Sequence, residues 1–80
     1  MMKHSSPVYL EKITEFSRLL RREGLTVGYQ ETMDAMEALL VLGVEDRDTV
    51  RTALRTIYAK SLEEQRTFDR MFAHYFVSEE

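Results

Sequence analysis

The sequence predicts an all-α fold, a small four-helix or three-plus-one bundle, and three observations carry that prediction. Apolar residues recur at steps of three and four along most of the chain, and no stretch alternates long enough to make a strand. The glycines, Gly24, Gly28 and Gly43, fall at the breaks between these periodic segments. Eighty residues with 44% hydrophobic and 31% charged content can build one thin core, burying about 60% of the unfolded chain's surface. Such a composition is neither disordered nor linker material. The predicted domain spans 7–76, with 1–6 and 77–80 expected to fray.

The first helix is expected to start at Ser6, a good N-cap, with Pro7 at the first helical position, where a missing N–H costs nothing. Tyr9, Ile13, Phe16 and Leu20 then share one face, and Leu19 widens the stripe. Arg21 and Arg22 suit the negative end of the helix, and Gly24 supplies a left-handed cap. In the connector that follows, Leu25 and Val27 are expected to point inward. Gly28 is a permissive N-cap for the second helix, with Glu31 close to its positive end.

On the second helix Tyr29, Met33, Met36 and Leu40 repeat the 4-3-4 step and predict the buried face; Gln30, Asp34 and Glu37 lie opposite. The run Leu39-Leu40-Val41-Leu42 is apolar all round, which predicts the most buried part of the domain. Gly43 ends the helix. The third begins at Glu45 or Asp46, presents Val50, Ala53, Leu54, Ile57 and Tyr58, and runs to about Lys60. Ser61-Leu62-Glu63-Glu64 matches a capping box. Phe68, Met71, Phe72, Tyr75 and Phe76 make the last stripe, on either one helix from Ser61 or a turn followed by a helix capped at Thr67.

Composition excludes several functions. Eleven lysines and arginines stand against fourteen acids, a net charge of −3, and neither half is basic, which argues against nucleic acid and anionic membranes as general partners. The longest apolar run is far short of a membrane span, and Met1–Ser6 is followed by no apolar segment of signal-peptide type. The chain has no cysteine, so no disulfide framework or thiolate zinc site, which fits a cytoplasmic setting.

Chemistry-bearing groups do not form a catalytic pattern. His4 and His74 lie at opposite ends of the chain without metal-ligand spacing, and His74 suits the end of the last helix. Glu63 and Glu64 are adjacent and diverge on a helix, and the cap explains Glu64. No serine sits in a nucleophile elbow, and the glycines are too scattered to cradle a phosphate. The expectation is a protein that is not an enzyme, with no cofactor and no metal.

Two surface features invite a binding role. Arg47, Arg51 and Arg55 step by four along the third helix, either a solvated face paired with Glu45, Asp48 or the acids of the second helix, or a stripe that docks on an acidic partner. Phe68, Phe72, Tyr75 and Phe76 either pack into the core or, being more aromatic surface than a thin bundle readily covers, leave an apolar docking patch at Phe72, Tyr75 and Phe76.

The order of motifs resembles a known family. Phe16-Ser17-Arg18-Leu19-Leu20-Arg21-Arg22-Glu23-Gly24-Leu25-Thr26-Val27 resembles the opening of CoxE-like proteins that contain a von Willebrand factor A domain. Glu31-Thr32-Met33-Asp34-Ala35-Met36-Glu37-Ala38-Leu39, then Leu42-Gly43-Val44 and Asp46-Arg47, continue the likeness. Ala53-Leu54-Arg55-Thr56 and Phe68-Asp69-Arg70-Met71-Phe72 match the close of that family's N-terminal helical region, so the resemblance covers about residues 10–76. It implies a helical module that precedes a von Willebrand A domain and works with MoxR-type AAA+ ATPases in maturing or remodelling other proteins. That A domain's Asp-x-Ser-x-Ser metal site has no counterpart in this sequence, so no metal ligand is carried over.

The leading expectation is therefore a non-enzymatic interaction module. Its partners would be a von Willebrand A domain, in cis or in trans, and a MoxR-type ATPase. Arg47, Arg51 and Arg55 would supply polar contacts, and Phe72, Tyr75 and Phe76 apolar ones. A small helix-turn-helix-like DNA-binding regulator is the first alternative, opposed by Glu45, Asp46 and Asp48 where a recognition helix would enter the groove. A helical protein that self-associates through its Phe68–Phe76 face is the second.

Overall fold

The computed structural model describes residues 6–43 and 45–76, with side chains from Glu11 onward. Four helices follow one another: α1 (Ser6–Arg22), α2 (Tyr29–Leu42), α3 (Arg47–Tyr58) and α4 (Leu62–Tyr75). The expected side-chain cap at Ser6, the place of Tyr9 on the first stripe and the fraying of both termini fall outside what is described.

Local chemistry sets the helix ends. Gly24 takes φ +104°, and the Leu25 and Gly24 N–H groups donate to the carbonyls of Leu20 and Arg21 at 3.0 and 3.1 Å. These paired bonds satisfy carbonyls that the helix leaves open, and buried Leu25 follows Leu20 into the core. Val27 is buried as expected, and Arg21 Nη1 holds its carbonyl at 2.8 Å. Gly28 caps α2, and its N–H donates to the Glu31 carboxylate at 2.9 Å. Asp46 caps α3 by accepting the Thr49 N–H at 3.3 Å. Ser61 Oγ accepts the Glu64 N–H at 3.2 Å, while Glu64 reaches back to the Lys60 N–H at 2.8 Å. From there α4 is continuous through Thr67, so the chain has one helix here and no second cap. α3 stops at Tyr58, two residues before Lys60, because Ala59 turns to extended backbone.

Each helix packs on its neighbours in sequence, and α4 returns to α1 to close the ring. The centre is aromatic. The Phe16 ring of α1 meets Tyr58 of α3 and Phe68, Phe72, Tyr75 and Phe76 of α4 at centroid distances of 5.1–6.2 Å. Ile13, Leu20, Val50 and Leu54 complete the enclosed layer.

The orientation of α2 overturns the expectation for that helix. Tyr29, Met33 and Leu40 are 78%, 41% and 72% exposed, and only Met36 of that stripe is half-buried. The side that packs inward carries Ala35, which is fully buried, flanked by half-buried Thr32 and Leu39. The end of the helix is open too, with Val41 75% and Leu42 46% exposed. Among the described residues α2 rests on α1 and α3 alone, so none of them covers a face turned from both.

Candidate functional site

The arginine stripe of α3 and the aromatics of α4 come together in space, and the structure shows how each is engaged. The Arg47 guanidinium lies 5.1 Å from the Phe72 ring centroid and donates to the Phe76 carbonyl. Arg55 Nη1 donates to both carboxylate oxygens of Asp69, at 2.9 and 3.2 Å. Arg51 stands 3.6 Å from Asp48, one turn before it, and its Nε is buried without a hydrogen-bond partner. The stripe thus ties α3 to α4 at two of its three positions. The pairing acids are Asp48 and Asp69; the acids of α2 take none of the three.

The aromatic set divides by depth. Phe72, placed by the sequence at a docking surface, is 2% exposed and belongs to the core, as does Phe68. Tyr75 and Phe76 are half-buried. Tyr75 stacks on Phe16, donates to Glu15 Oε1 at 2.7 Å and lies beneath Lys12 Nζ, 5.7 Å from its centroid. Burial first, then the Glu15 carboxylate, push its phenol up to about 12. Beside it an open groove is lined by Arg18, Leu19, Arg22 and His74.

A buried polar contact joins three helices. Ser17 Oγ on α1 and the Tyr58 hydroxyl on α3 are 2.7 Å apart and almost wholly enclosed. The Thr32 hydroxyl on α2 shares its proton between Ser17 Oγ at 3.2 Å and the Gly28 carbonyl at 3.1 Å. Burial raises the Tyr58 phenol to about 12, with the Ser17 bond opposing the shift, so the group is neutral at physiological pH. At the start of α3 the Thr49 hydroxyl, then its N–H, hold the Asp46 carboxyl below the usual range. The helix end that would enter a DNA groove therefore carries its own fixed negative charge.

The α2 face is the surface that sequence reasoning assigned to the core. Tyr29, Met33 and Leu40 stand out along one side of it, and exposed Glu37, Gln30 and Val41 come next around the helix. Gln30 Nε2 donates to Asp34 at 2.9 Å. The Gly28 N–H bond holds the Glu31 carboxyl low. One signal in the sequence does point to this face: no lysine or arginine occurs between Arg22 and Arg47. Among the described residues no three of His, Asp and Glu converge, and no helix is long and apolar enough to cross a membrane.

These features define an all-α four-helix bundle whose distinctive surface is an uncovered helix face. The chain belongs to the family of the CoxE N-terminal helical bundle domain, whose model matches residues 13–79. The match takes in all four helices from Ile13 onward and agrees with the resemblance read from residues 10–76. No curated protein and no solved structure matches the chain.

Proposed function

We propose that this chain is a non-enzymatic helical module that docks onto another protein. The exposed apolar face of α2 carries the reading. Single exposed leucines are ordinary on a protein surface, but Tyr29, Met33 and Leu40 lie along one side of one helix. Fully burying a side chain of this kind is worth about 1.5–3 kcal/mol, so a partner that covers the face gains what the bundle leaves unused.

Family membership supports the choice of partners: a von Willebrand A domain, in cis or in trans, and a MoxR-type AAA+ ATPase, acting together in the cytoplasm on the maturation or remodelling of other proteins. Arg47, Arg51, Arg55, Tyr75 and Phe76 form a second contact region, with Phe72 as its floor. Titration calorimetry of the purified chain against each candidate from the same genome tests the proposal. Saturable binding that is lost in Leu40→Glu supports it. Absence of binding to both candidates overturns the proposed partnership.

A further inference from the structure

The charge around the open face of α2 narrows what can cover it. Glu23, Glu31, Asp34, Glu37, Glu45 and Asp46 all lie between Arg22 and Arg47, where no lysine or arginine occurs; Glu23, past the end of α1, pairs with Arg70 of α4, and Glu31, Asp34 and Glu37 are the acids of α2 itself. The remaining eight acids stand against all eleven cations elsewhere in the chain. A protein of modest net charge is thus polarised, with a segment of −6 set against a remainder of +3. Lys60, in the turn before α4, acts on Glu31. No cation of the described residues pairs with Asp34 or Glu37.

The apolar positions on this face, Tyr29, Met33 and Leu40, keep helical spacing and match the anchors of a helix laid alongside. Its rim is acidic. Anionic lipid and nucleic acid carry the wrong sign for such a rim. A second copy presenting the same face sets one acidic segment against another, and like charges juxtaposed across an interface cost several kcal/mol. Resting on the docking reading above, we infer that α2 receives a basic amphipathic helix of a partner protein, which adds to the bundle as a fifth helix. Its apolar stripe covers Tyr29, Met33 and Leu40, and its lysines or arginines face Asp34 and Glu37.

The test uses the full chain, isotopically labelled for NMR, and three synthetic peptides of about five turns. One carries leucines at helical spacing with lysine flanks; the second replaces each lysine by glutamate; the third scrambles the first. The expected result is saturable binding of the first peptide, with amide shifts concentrated in residues 29–42. Binding should weaken about tenfold or more in Leu40→Ser and in Glu37→Lys, and again as salt rises. Both substitutions are at exposed positions, and circular dichroism checks that the helices are retained. Equal binding of the scrambled or the acidic peptide overturns the inference, as do shifts centred on α1 and α4. Sedimentation showing a dimer that Leu40→Ser dissolves assigns the face to a second copy and overturns it as well. If the candidate partners bind but ignore Leu40→Ser and Glu37→Lys, this inference falls while the docking reading stands. If the first peptide binds α2 and the candidates do not, the family partnership falls and the inference stands.

Discussion

Replacing Tyr58 by phenylalanine should cost stability at neutral pH and return it in alkali. The hydroxyl removed is buried and lies 2.7 Å from Ser17 Oγ. A net hydrogen bond is worth about 1 kcal/mol, and Ser17 keeps the Thr32 hydroxyl as a partner, so the loss at pH 7 is about 1–1.5 kcal/mol. An 80-residue domain has roughly 4–12 kcal/mol in all, so the change is readily measured. The alkaline side follows from linkage. The phenol titrates near 10.0 in the unfolded chain and is raised to about 12 in the fold by burial. A raised folded value means that the contribution is complete below pH 10 and is lost as pH climbs through 12.

That difference corresponds to about 3 kcal/mol, and roughly half is gone at pH 11. A phenylalanine ring cannot ionise, so Tyr58→Phe escapes that loss, while the other titrating groups, Tyr75 among them, act on both proteins alike. Urea unfolding at pH 7 and pH 11, followed by circular dichroism, should show the wild-type advantage shrink to about zero at the higher pH. An unchanged difference between the two proteins at both values refutes the reasoning, because it would mean that Tyr58 reaches water and titrates normally in the folded state.

Other substitutions test the frame. Phe16→Ala removes the ring against which five other aromatic rings pack and should cost about 3–5 kcal/mol, leaving little cooperative melting by circular dichroism. Gly24→Ala meets no atom within 4 Å, so its whole cost, about 1–2 kcal/mol in urea unfolding, comes from φ +104°. Ser61→Ala should lower stability by about 1 kcal/mol through the lost α4 cap, with Ser61→Gly milder in the same assay. Asp69→Asn breaks the Arg55 pair, whose side chains are 31% and 38% exposed, and should cost under ~1 kcal/mol, less still at high salt.

Where a helix has one apolar stripe, the sequence showed which way it faces. α3 repeats Val50, Leu54 and Tyr58 at steps of four, with Ala53 and Ile57 beside them and arginines and threonines on the rest of the helix, and those three are buried. The caps at Gly24, Gly28 and Ser61 were legible for a similar reason, being residue types whose backbone freedom or side-chain oxygen suits one position, whereas the sequence leaves the start of α3 open between Glu45 and Asp46, of which the structure makes Asp46 the cap. α2 carries two apolar stripes, a larger one through Tyr29, Met33 and Leu40 and a smaller one through Ala35 and Leu39, and periodicity alone favours the larger. Packing chose the smaller. The arginine stripe was legible as a pattern, but its partner Asp69 lies on α4, fourteen residues from Arg55, and only the bundle brings the two together.

The same choice explains why α2 is the helix left open. Its direction is set from outside itself, by buried Leu25 and Val27, by the Gly28 cap and by the Thr32–Ser17 contact. Its own fully buried contribution is Ala35, while α1, α3 and α4 supply the aromatic core. Met36 and Leu39 still pack on the core, but the exposed Tyr29, Met33 and Leu40 add little to the fold and are free to serve an interface. A ligand that binds only the folded chain adds about 2.7 kcal/mol at a hundred times its dissociation constant, comparable with the lower end of the net stability of a domain this size. If the α2 face is occupied as proposed, the partner adds to the stability of the bundle, and Asp34 and Glu37 would favour a positively charged helix over an acidic one.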